Sequence, residues 1–363
     1  MAPHTIPSDR SSLVPHHPLN AITELSHSKF KAIRKRKSWT KFQRLKSALN
    51  KRFEEIQKTA ERLNPRVVVI KDASLGDLRA SYSTRHVSIQ NDPVRMDVGA
   101  FTRYPPHGKR PLKVTAGRDG GFLLYRLPVD NTEDVRLLHR TISQLPPVSQ
   151  SASKGFQRSK YVARSYGVNC FSSRRPFFTS DYIRDGRAAE QWIEENEPIW
   201  KRIEFAIGIV SKRVFQQYQL FPSDVGEDGQ GRLFGVFTRC FINQGALDID
   251  ASNPHRDPAE PRDGLVAVIS TGDYSGGGLA LHDLKIVVET NPGDIIVFPD
   301  SVLYHSNEAV KGARNSVVCV TPNNMLAYWG REYNMKRRMN WKDPSKKQAR
   351  LKSIKTNSQG NNK

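Results

Sequence analysis

The hydrophobic positions in the second half of the chain recur in short runs rather than at helical spacing. Each run is rich in β-branched residues and is bounded by Gly, Pro, Asn or Asp, which is typical of strands separated by turns. Further short apolar runs upstream also predict strands. The runs are Leu265–Ile269, Lys285–Val288, Asp294–Phe298 and Ser316–Val320, with Gly235–Asn243 and Val67–Ile70 before them.

Helical periodicity is strongest in three other segments. Apolar residues step by three or four through Ser38–Leu63, which predicts an amphipathic helix whose apolar stripe packs on the domain. The same spacing recurs in Asn131–Leu145, which is closed by two prolines, and in Ala188–Tyr218. Short antiparallel strands combined with these helices predict an α+β fold built on a jelly roll or sandwich. The mouth of such a fold can gather side chains from distant strands around one ligand.

Charge is distributed unevenly along the 363 residues, which carry a formal net charge of +21. Residues 1–64 hold 14 Lys and Arg against 5 Asp and Glu, and residues 331–363 hold 11 against 2. We therefore expect a basic N-terminal arm with its helix over 1–64, a catalytic domain over 65–330, and a disordered basic tail over 331–363. Cationic ends around a nearly neutral body favour a polyanionic partner, although solvated tails would have the same composition.

Cysteines and apolar stretches exclude two classes of protein. Cys170, Cys240 and Cys319 are too few and too scattered for a disulfide framework or a zinc finger, and they fit a reducing compartment. No stretch approaches the length of a membrane span, so no membrane partner is expected. Basic clusters at Arg34–Lys37 and Lys336–Arg338 predict a nuclear location, and they would equally well contact nucleic acid.

The candidate chemistry lies between Asn253 and Thr321. His255 and Asp257 precede the run of strands, and His305 ends a later apolar run fifty residues on. Two histidines and one carboxylate form the ligand set that suits non-heme Fe(II) sites with open positions. Singly, each histidine is more often an ordinary core residue, so the hypothesis depends on the three occurring together.

Arg314 adds a candidate for binding a carboxylate. An oxygenase with such a site needs a co-substrate that supplies two electrons, and a dicarboxylic keto acid needs a fixed cation for its far carboxylate. A guanidinium binds a carboxylate through two hydrogen bonds and stays charged. The alternative is a solvated cation in a turn beside Lys311.

These residues, together with GLVAVISTGDYSGGGLALHDL and NPGDIIVFPDSVLYHS, resemble the Fe(II)/2-oxoglutarate dioxygenases. Within that superfamily, residues 230–325 look like the TET/JBP family in its fungal form. The resemblance implies a double-stranded β-helix braced by helices, with His255, Asp257 and His305 as the iron ligands and Arg314 as the 2-oxoglutarate clamp. It also implies a base-contacting acidic residue three positions after Asp257, which here is Glu260 rather than Asp.

Two further sets of residues are candidates for binding. Side chains alternate along the predicted strand at 235–243, so either Val236, Thr238, Cys240 and Ile242 or Phe237, Arg239, Phe241 and Asn243 line the cavity. The polar Arg239 and Asn243 make the second set a candidate for co-substrate or base contacts. Residues 148–180 interleave cationic side chains with aromatic rings. This pattern fits a segment that binds phosphates and bases, and it fits equally a polar loop whose aromatic rings pack into the core. This segment includes Arg164 and Tyr166.

The resemblance implies an enzyme that uses Fe(II) and 2-oxoglutarate to oxidise methylated bases in DNA. The first expected substrate is 5-methylcytosine, which would become 5-hydroxymethylcytosine and more oxidised products, and N6-methyladenine is the second. Two alternatives stay open from the residues alone: an oxygenase that acts on RNA or protein, and a non-catalytic DNA-binding module. Residues 72–130 alternate short extended pieces with Gly and Pro and predict no function.

Overall fold

The structure of the protein is a computed structural model that describes residues 44, 47–84, 98–147, 162–170, 176–219, 231–249, 251–257 and 259–328. The chain divides after Lys46 into two units, of which Ser47–Lys363 is the second. The elements below belong to the second unit. The predicted basic tail over 331–363, both basic clusters and most of the N-terminal arm lie outside the described residues.

The described ranges contain both helices and strands. The helices are α1 (residues 47–61), α2 (Leu75–Thr84), α3 (Thr132–Ser143), α4 (Ser180–Asp185), α5 (Arg187–Glu195), α6 (Glu197–Val210), α7 (Lys212–Gln219) and α8 (residues 323–328). The strands are β1 (Arg66–Ile70), β2 (Thr102–Tyr104), β3 (Leu112–Ala116), β4 (Phe122–Leu127), β5 (Val162–Asn169), β6 (Phe177–Phe178), β7 (Arg239–Ile249), β8 (Val266–Gly276), β9 (Leu279–Leu281), β10 (Ile286–Val288), β11 (Ile295–Phe298), β12 (His305–Asn307) and β13 (Val310–Val320). None of these helices has both the length and the apolar character needed to cross a bilayer.

The strands form a major and a minor sheet. In the major sheet the order is β1-β3-β4-β11-β8-β13-β7-β5-β6, and in the minor sheet it is β12-β9-β10-β2. His255 adds an isolated antiparallel bridge to His305 at the β12 edge of the minor sheet. Chain order therefore alternates between a layer β7-β13-β8-β11 and a layer of the 255 segment, β12, β9 and β10. This arrangement is a double-stranded β-helix, and it confirms the predicted α+β class with a jelly-roll core.

Alternation along β13 shows how the two faces of the major sheet are used. Val317 and Cys319 belong to the apolar cluster under the helices, whereas Val320 belongs to the cluster between the two sheets and Val318 packs against it. The inner cluster also includes Leu281 and Ile286 of the minor sheet. Since residues two apart share a face of a strand, the even-numbered residues of β13 point into the space between the sheets.

The helices cover the outer face of the major sheet. Helix α1 is fixed there by an ion pair of Arg52 with Glu204 at 2.6 Å and by a hydrogen bond from the Gln57 side chain to the Gly208 carbonyl at 2.8 Å. Ile56 of α1 lies in the cluster under the helices. The apolar stripe of this helix therefore packs on the domain, as its periodicity predicts.

Two of the predicted helical regions have clear boundaries in the sequence. Asn131 caps α3 by accepting a hydrogen bond from the Glu133 N–H at 3.0 Å. The region Ala188–Tyr218 is broken into α5, α6 and α7 at Asn196 and Ser211. A proline in the first turn of α6 cannot donate to the preceding turn, and Ser211 is extended with its hydroxyl accepting from the Val214 N–H at 3.2 Å.

Residues 72–130 complete the major sheet and support the minor one. Strands β3 and β4 extend the major sheet, and β2 pairs in parallel with β10. The buried Arg126 of β4 ties these layers together by donating to the carbonyls of Tyr104, Pro105 and Glu289 at 2.6 to 3.2 Å. Its Nε atom lies 3.9 Å from the buried carboxylate of Asp294. Burial raises the pKa of Asp294 to about 6, against the opposing effects of the Asn291 N–H and Arg126.

We expect Asp294 to make the stability of the metal-free protein depend on pH. The folded protein keeps the proton on the Asp294 carboxyl at pH values where the unfolded chain has lost it. The contribution of Asp294 to the free energy of unfolding is therefore complete below about pH 4 and is lost as the pH rises through about 6. Relative to Asp294→Asn, the free energy of unfolding of the wild type should fall by up to about 3 kcal/mol between pH 4 and 7. Urea unfolding at four pH values measures this difference. Asp130→Asn changes an exposed carboxyl, so its free energy of unfolding should depend on pH in the same way as that of the wild type. The same pH dependence in Asp294→Asn as in the wild type would contradict the expectation.

Candidate metal centre

The two segments that carry the predicted ligands lie side by side. The Ser252 N–H donates to the Asn307 carbonyl at 2.9 Å, and the Asp257 N–H donates to the Asp300 carbonyl at 3.3 Å. Between these contacts, His255 and His305 exchange two main-chain hydrogen bonds of 2.8 Å each. Main-chain pairing therefore brings residues 252–257 against residues 300–307, although the two histidines are fifty positions apart.

The side chains of His255, Asp257 and His305 converge at this pairing. Each offers one ligand atom, and the three atoms lie within 4.8 Å of one another. The Nε2 atom of His305 is 3.8 Å from Oδ2 of Asp257, and the centroids of the two imidazole rings are 4.5 Å apart. The three predicted metal ligands therefore occupy one place with the proximity that a single cation requires.

The hydrogen bonds of the imidazoles fix their tautomers. Nδ1 of His255 lies 2.8 Å from the carbonyl oxygen of Asn253, and Nδ1 of His305 lies 2.9 Å from that of Leu303. A carbonyl oxygen only accepts, so in both neutral rings Nδ1 carries the proton and Nε2 carries the lone pair. This is the arrangement by which proteins commonly orient a histidine for a metal. The donor set therefore fits Fe(II), which binds two imidazoles and one carboxylate in non-heme oxygenases.

One side of the site is closed and the other is open. The side chain of His305 is only 7% exposed and packs edge-on against Phe298, with ring centroids 5.0 Å apart. The side chain of Asp257 is 33% exposed. Approach to the site is therefore possible from the side of the carboxylate.

Arg314 lies on the inner face of the major sheet and is 5% exposed. Its Nε and Nη2 atoms donate to the Ser270 hydroxyl at 3.1 and 2.7 Å, and its guanidinium lies 5.5 Å from the centroid of the Tyr274 ring. Among the described residues, no carboxylate forms an ion pair with Arg314. A buried guanidinium without an acidic partner fits a site for an external carboxylate, since Arg binds carboxylates in a bidentate manner. The surroundings of Arg314 thus fit 2-oxoglutarate.

Within β7 the structure selects the second of the two sets left by the sequence, although Phe237 of that set precedes β7 and packs with Val236 in the cluster under the helices. Cys240 and Ile242 face the helices, while Phe241 packs on the inner cluster, so Arg239, Phe241 and Asn243 point between the sheets. Arg239 is buried, donates to the Ser165 hydroxyl at 2.6 Å, and lies 4.3 Å from the centroid of the Phe241 ring. The Asn243 amide donates to the Ser316 hydroxyl at 3.2 Å. Both predicted binding residues share the inner face with Arg314 and are held there by protein contacts.

Two buried acidic side chains, Glu260 and Asp300, lie close enough to Asp257 for its charge to raise their pKa values. Glu260 is buried, and its pKa is raised to about 8 by burial and by the nearby charge of Asp257, against the opposing effect of Arg239. Burial and the charges of Glu260 and Asp257 likewise hold the pKa of Asp300 well above its ordinary value. Asp300 was not among the predicted site residues, and its signal in the sequence is its position two residues after a predicted strand and five before His305.

The predicted nucleic-acid segment over 148–180 requires a correction at its two described interior members. Arg164 is buried and pairs with the buried Asp185 at 3.1 Å, and it also donates to the Pro146 carbonyl at 2.7 Å. Tyr166 is buried beside Trp192, with ring centroids 5.7 Å apart. The proposed phosphate and base contacts of this pair are therefore wrong, because β5 turns them toward the helices. Residues 148–161 and 171–175 lie outside the described residues.

The fold and the site are similar to those of one class of protein. A double-stranded β-helix that carries two histidines and a carboxylate at the edge of its minor sheet, with an arginine on the facing sheet, has the architecture of the Fe(II)/2-oxoglutarate dioxygenases. Neither protein-family models nor curated protein sequences match this chain.

Solved structures with a similar backbone include TET1 (NgTET1) in complex with 5mC DNA, at 17% identity and a TM-score of 0.46, covering 70% of this chain and 92% of that one. An oxidoreductase of the 2OG-Fe(II) oxygenase family from Burkholderia pseudomallei is 15% identical with a TM-score of 0.35, covering 70% of this chain and 93% of that one. OsALKBH1 is 12% identical with a TM-score of 0.31, covering 55% and 96%.

We expect the site to bind one divalent cation. Because His305 supplies one of three converging ligand atoms, His305→Ala should weaken Co(II) binding by about 100-fold or more, beyond the usual effect of removing a supporting residue. Titration of the metal-free protein, followed by Co(II) absorption, measures the affinity. His139→Ala is the matched control, since His139 contacts Thr271 and Asn315 near the outer face. Equal Co(II) affinity in His305→Ala and the wild type would contradict a shared site.

Proposed function

We propose that this protein is an Fe(II)- and 2-oxoglutarate-dependent dioxygenase that oxidises methylated bases in DNA, with 5-methylcytosine as the first substrate. The observation that carries the proposal is the convergence of His255, Asp257 and His305, with both imidazoles oriented by carbonyl hydrogen bonds at Nδ1. The pattern of ligands is that of non-heme Fe(II) oxygenases.

Each group of the site has a defined task in this proposal. His255, Asp257 and His305 would hold Fe(II), and Arg314 would bind the distal carboxylate of 2-oxoglutarate. When bound, these two supply the activation of oxygen that allows a methyl group to be hydroxylated. Phe298 and the buried His305 exclude water from one side, and the exposed side of Asp257 admits the substrate. Arg239 and Asn243 line the same inner face and would contact the co-substrate or the base.

Two features of the sequence support DNA as the substrate. The segments from His255 to Arg314 resemble the TET/JBP family, and the net charge of +21 is concentrated at the two ends of the chain. Cationic segments supply affinity for phosphates that is independent of base sequence. Glu260, buried three residues after Asp257, would contact the methylated base, which must leave the base stack to reach the iron. Activity on DNA would take place in the nucleus, in keeping with the basic clusters.

The first test is oxidation of a methylated duplex by the full chain with Fe(II), 2-oxoglutarate and oxygen. We expect mass spectrometry of the nucleosides to show 5-hydroxymethylcytosine from the wild type. Variants His255→Ala and Asp257→Ala should lose the product, while their affinity for DNA stays within about twofold because most of the net positive charge lies at the two ends of the chain. Unchanged turnover in either variant would exclude the assigned ligands.

The same reaction with a matched panel separates the other candidates. Methylated DNA, unmethylated DNA, methylated RNA and a peptide are each incubated, and succinate release is compared. Product from RNA or peptide alone would identify a different 2-oxoglutarate oxygenase. DNA binding without succinate release from any member would identify a non-catalytic module.

The second test concerns Arg314. Arg314→Lys keeps a positive charge but removes the planar pair of donors, so the KM for 2-oxoglutarate should rise about tenfold or more, with kcat at saturation much less affected. Steady-state succinate formation at varied 2-oxoglutarate measures both constants. Lys311→Ala, three positions away on an exposed part of β13, is the control and should match the wild type. An unchanged KM in Arg314→Lys would show that the co-substrate is anchored elsewhere.

A further inference from the structure

One carboxylate outside the ligand set contacts both segments of the metal centre. Asp283 lies in the short 3-10 turn His282–Leu284 that follows β9. Its Oδ2 atom accepts a hydrogen bond from the Tyr304 N–H at 2.7 Å, and its two oxygens accept from Nη2 of Arg256 at 3.1 and 3.2 Å. Arg256 stands between His255 and Asp257, and Tyr304 immediately precedes His305. Asp283 therefore joins the residue between two candidate ligands to the residue before the third.

The direction of the side chains separates this contact from the metal centre itself. His255 and Asp257 converge on the same point, and in an extended segment the residue between them points to the opposite side. Arg256 accordingly turns away from the ligands and reaches Asp283. Its side chain is only 8% exposed and that of Asp283 is 21% exposed, so water weakens the ion pair less than at an open surface.

Tyr304 is held from three directions. Besides donating to Asp283, its main chain accepts a hydrogen bond from the His282 N–H at 2.8 Å. The centroid of its ring lies 5.6 Å from the centroid of the His282 ring and 5.9 Å from Cζ of Arg256. The 282–284 turn and Arg256 therefore hold Tyr304, the residue immediately before His305, in place.

We propose that Asp283 is a positioning residue that sets the spacing between the His255/Asp257 segment and His305. The inference rests on the proposed function, because the spacing is useful only if the three side chains bind a metal. His255 and His305 are paired through an isolated bridge rather than a continuous ladder, and the main-chain hydrogen bonds described above between the two segments involve neither Arg256 nor Tyr304. A charge-assisted hydrogen bond to Arg256 and a second hydrogen bond to the Tyr304 N–H fix the residues on either side of that point. Groups that orient metal ligands in this way raise metal affinity.

An ordinary stabilising ion pair is the competing explanation, and the chain offers a matched comparison. Arg202 and Asp134 join α6 to α3 at 3.1 Å, the same distance as Arg256 to Asp283, and the Asp134 side chain is 16% exposed. Removing either acidic partner costs the fold one partly buried ion pair. Only Asp283 contacts the ligand segments, so only its loss should affect the metal.

The experiment measures Co(II) binding to the metal-free full chain. Asp283→Asn keeps the size of the side chain and an acceptor for the Tyr304 N–H, but it removes the charge that holds Arg256. We expect its Kd for Co(II) to be about tenfold higher than that of the wild type, and the visible absorption band of the bound Co(II) to be altered. Asp134→Asn should show wild-type affinity and an unchanged band. Wild-type Co(II) affinity in Asp283→Asn would overturn the proposal.

Further arms separate the possible failures. Combining Arg256→Gln with Asp283→Asn should weaken binding no more than the stronger single variant, since both act through one contact; additive losses would overturn the proposal. Circular dichroism and thermal unfolding check folding, and if Asp283→Asn does not fold, Asp283→Glu and Arg256→Lys are measured in its place, with the same expectation and the same overturning result. Absence of Co(II) binding in the wild type would refute the proposed function together with this inference, whereas binding by the wild type with no effect of the variants refutes the inference alone.

Discussion

The main-chain pairing of residues 252–257 with residues 300–307 is the contact on which the rest of the site depends. Two hydrogen bonds of 2.8 Å between His255 and His305 set the register, and a shift by one residue would turn the paired side chains to the opposite face. The jelly roll makes this pairing possible because, after residue 257, the chain passes through β8, β9, β10 and β11 before β12 brings it back beside the 252–257 segment. Backbone topology, rather than attraction between the histidines, therefore brings them together.

The space between the two sheets combines apolar packing with buried charge. Val266, Ile286 and Val320 form part of an inner core, while Arg239, Arg314 and Glu260 are buried with few polar partners. Burial of a charge without an ion-pair partner destabilises a protein, so Arg314 lowers the stability of the sandwich in the absence of ligands. A buried guanidinium of this kind is typical of a site built to receive a charged ligand, where stability is exchanged for function.

Much of the fold could be predicted because β-branched runs and helical spacing are local signals. The cores of β8, β10, β11 and β13 lie where the sequence places them, and α3 lies within the predicted helical segment Asn131–Leu145. The very short β9 and β12 were missed, since three residues carry no periodicity, and the extent of β8 was underestimated because its second half is polar and contains glycines. Gly272 there has a φ of +117°, and a Cβ would collide with the Ala313 carbonyl, so the glycine permits the close approach of β8 and β13 next to Arg314.

The site was predictable to a different degree. His255, Asp257, His305 and Arg314 stand out because their residue types and order carry a chemical pattern. Asp283, Asp300 and His282 do not, because their roles arise from contacts between segments that are distant in sequence. Arg164 shows the reverse error, since a basic residue among aromatic ones looks like a nucleic-acid contact until the orientation of β5 shows that it enters the core.

The position of the paired segments has a consequence for how the protein opens. A cation held by His255, Asp257 and His305 would close a loop of the polypeptide that contains four strands of the jelly roll. Any local unfolding that separates β12 from the 252–257 segment would release the ion. The free energy of metal binding would therefore be added to the free energy needed for that local unfolding. Amide protons of β8 through β12 would then exchange with solvent more slowly when the ion is bound, while those of the outer strands β1 and β6 would be less affected.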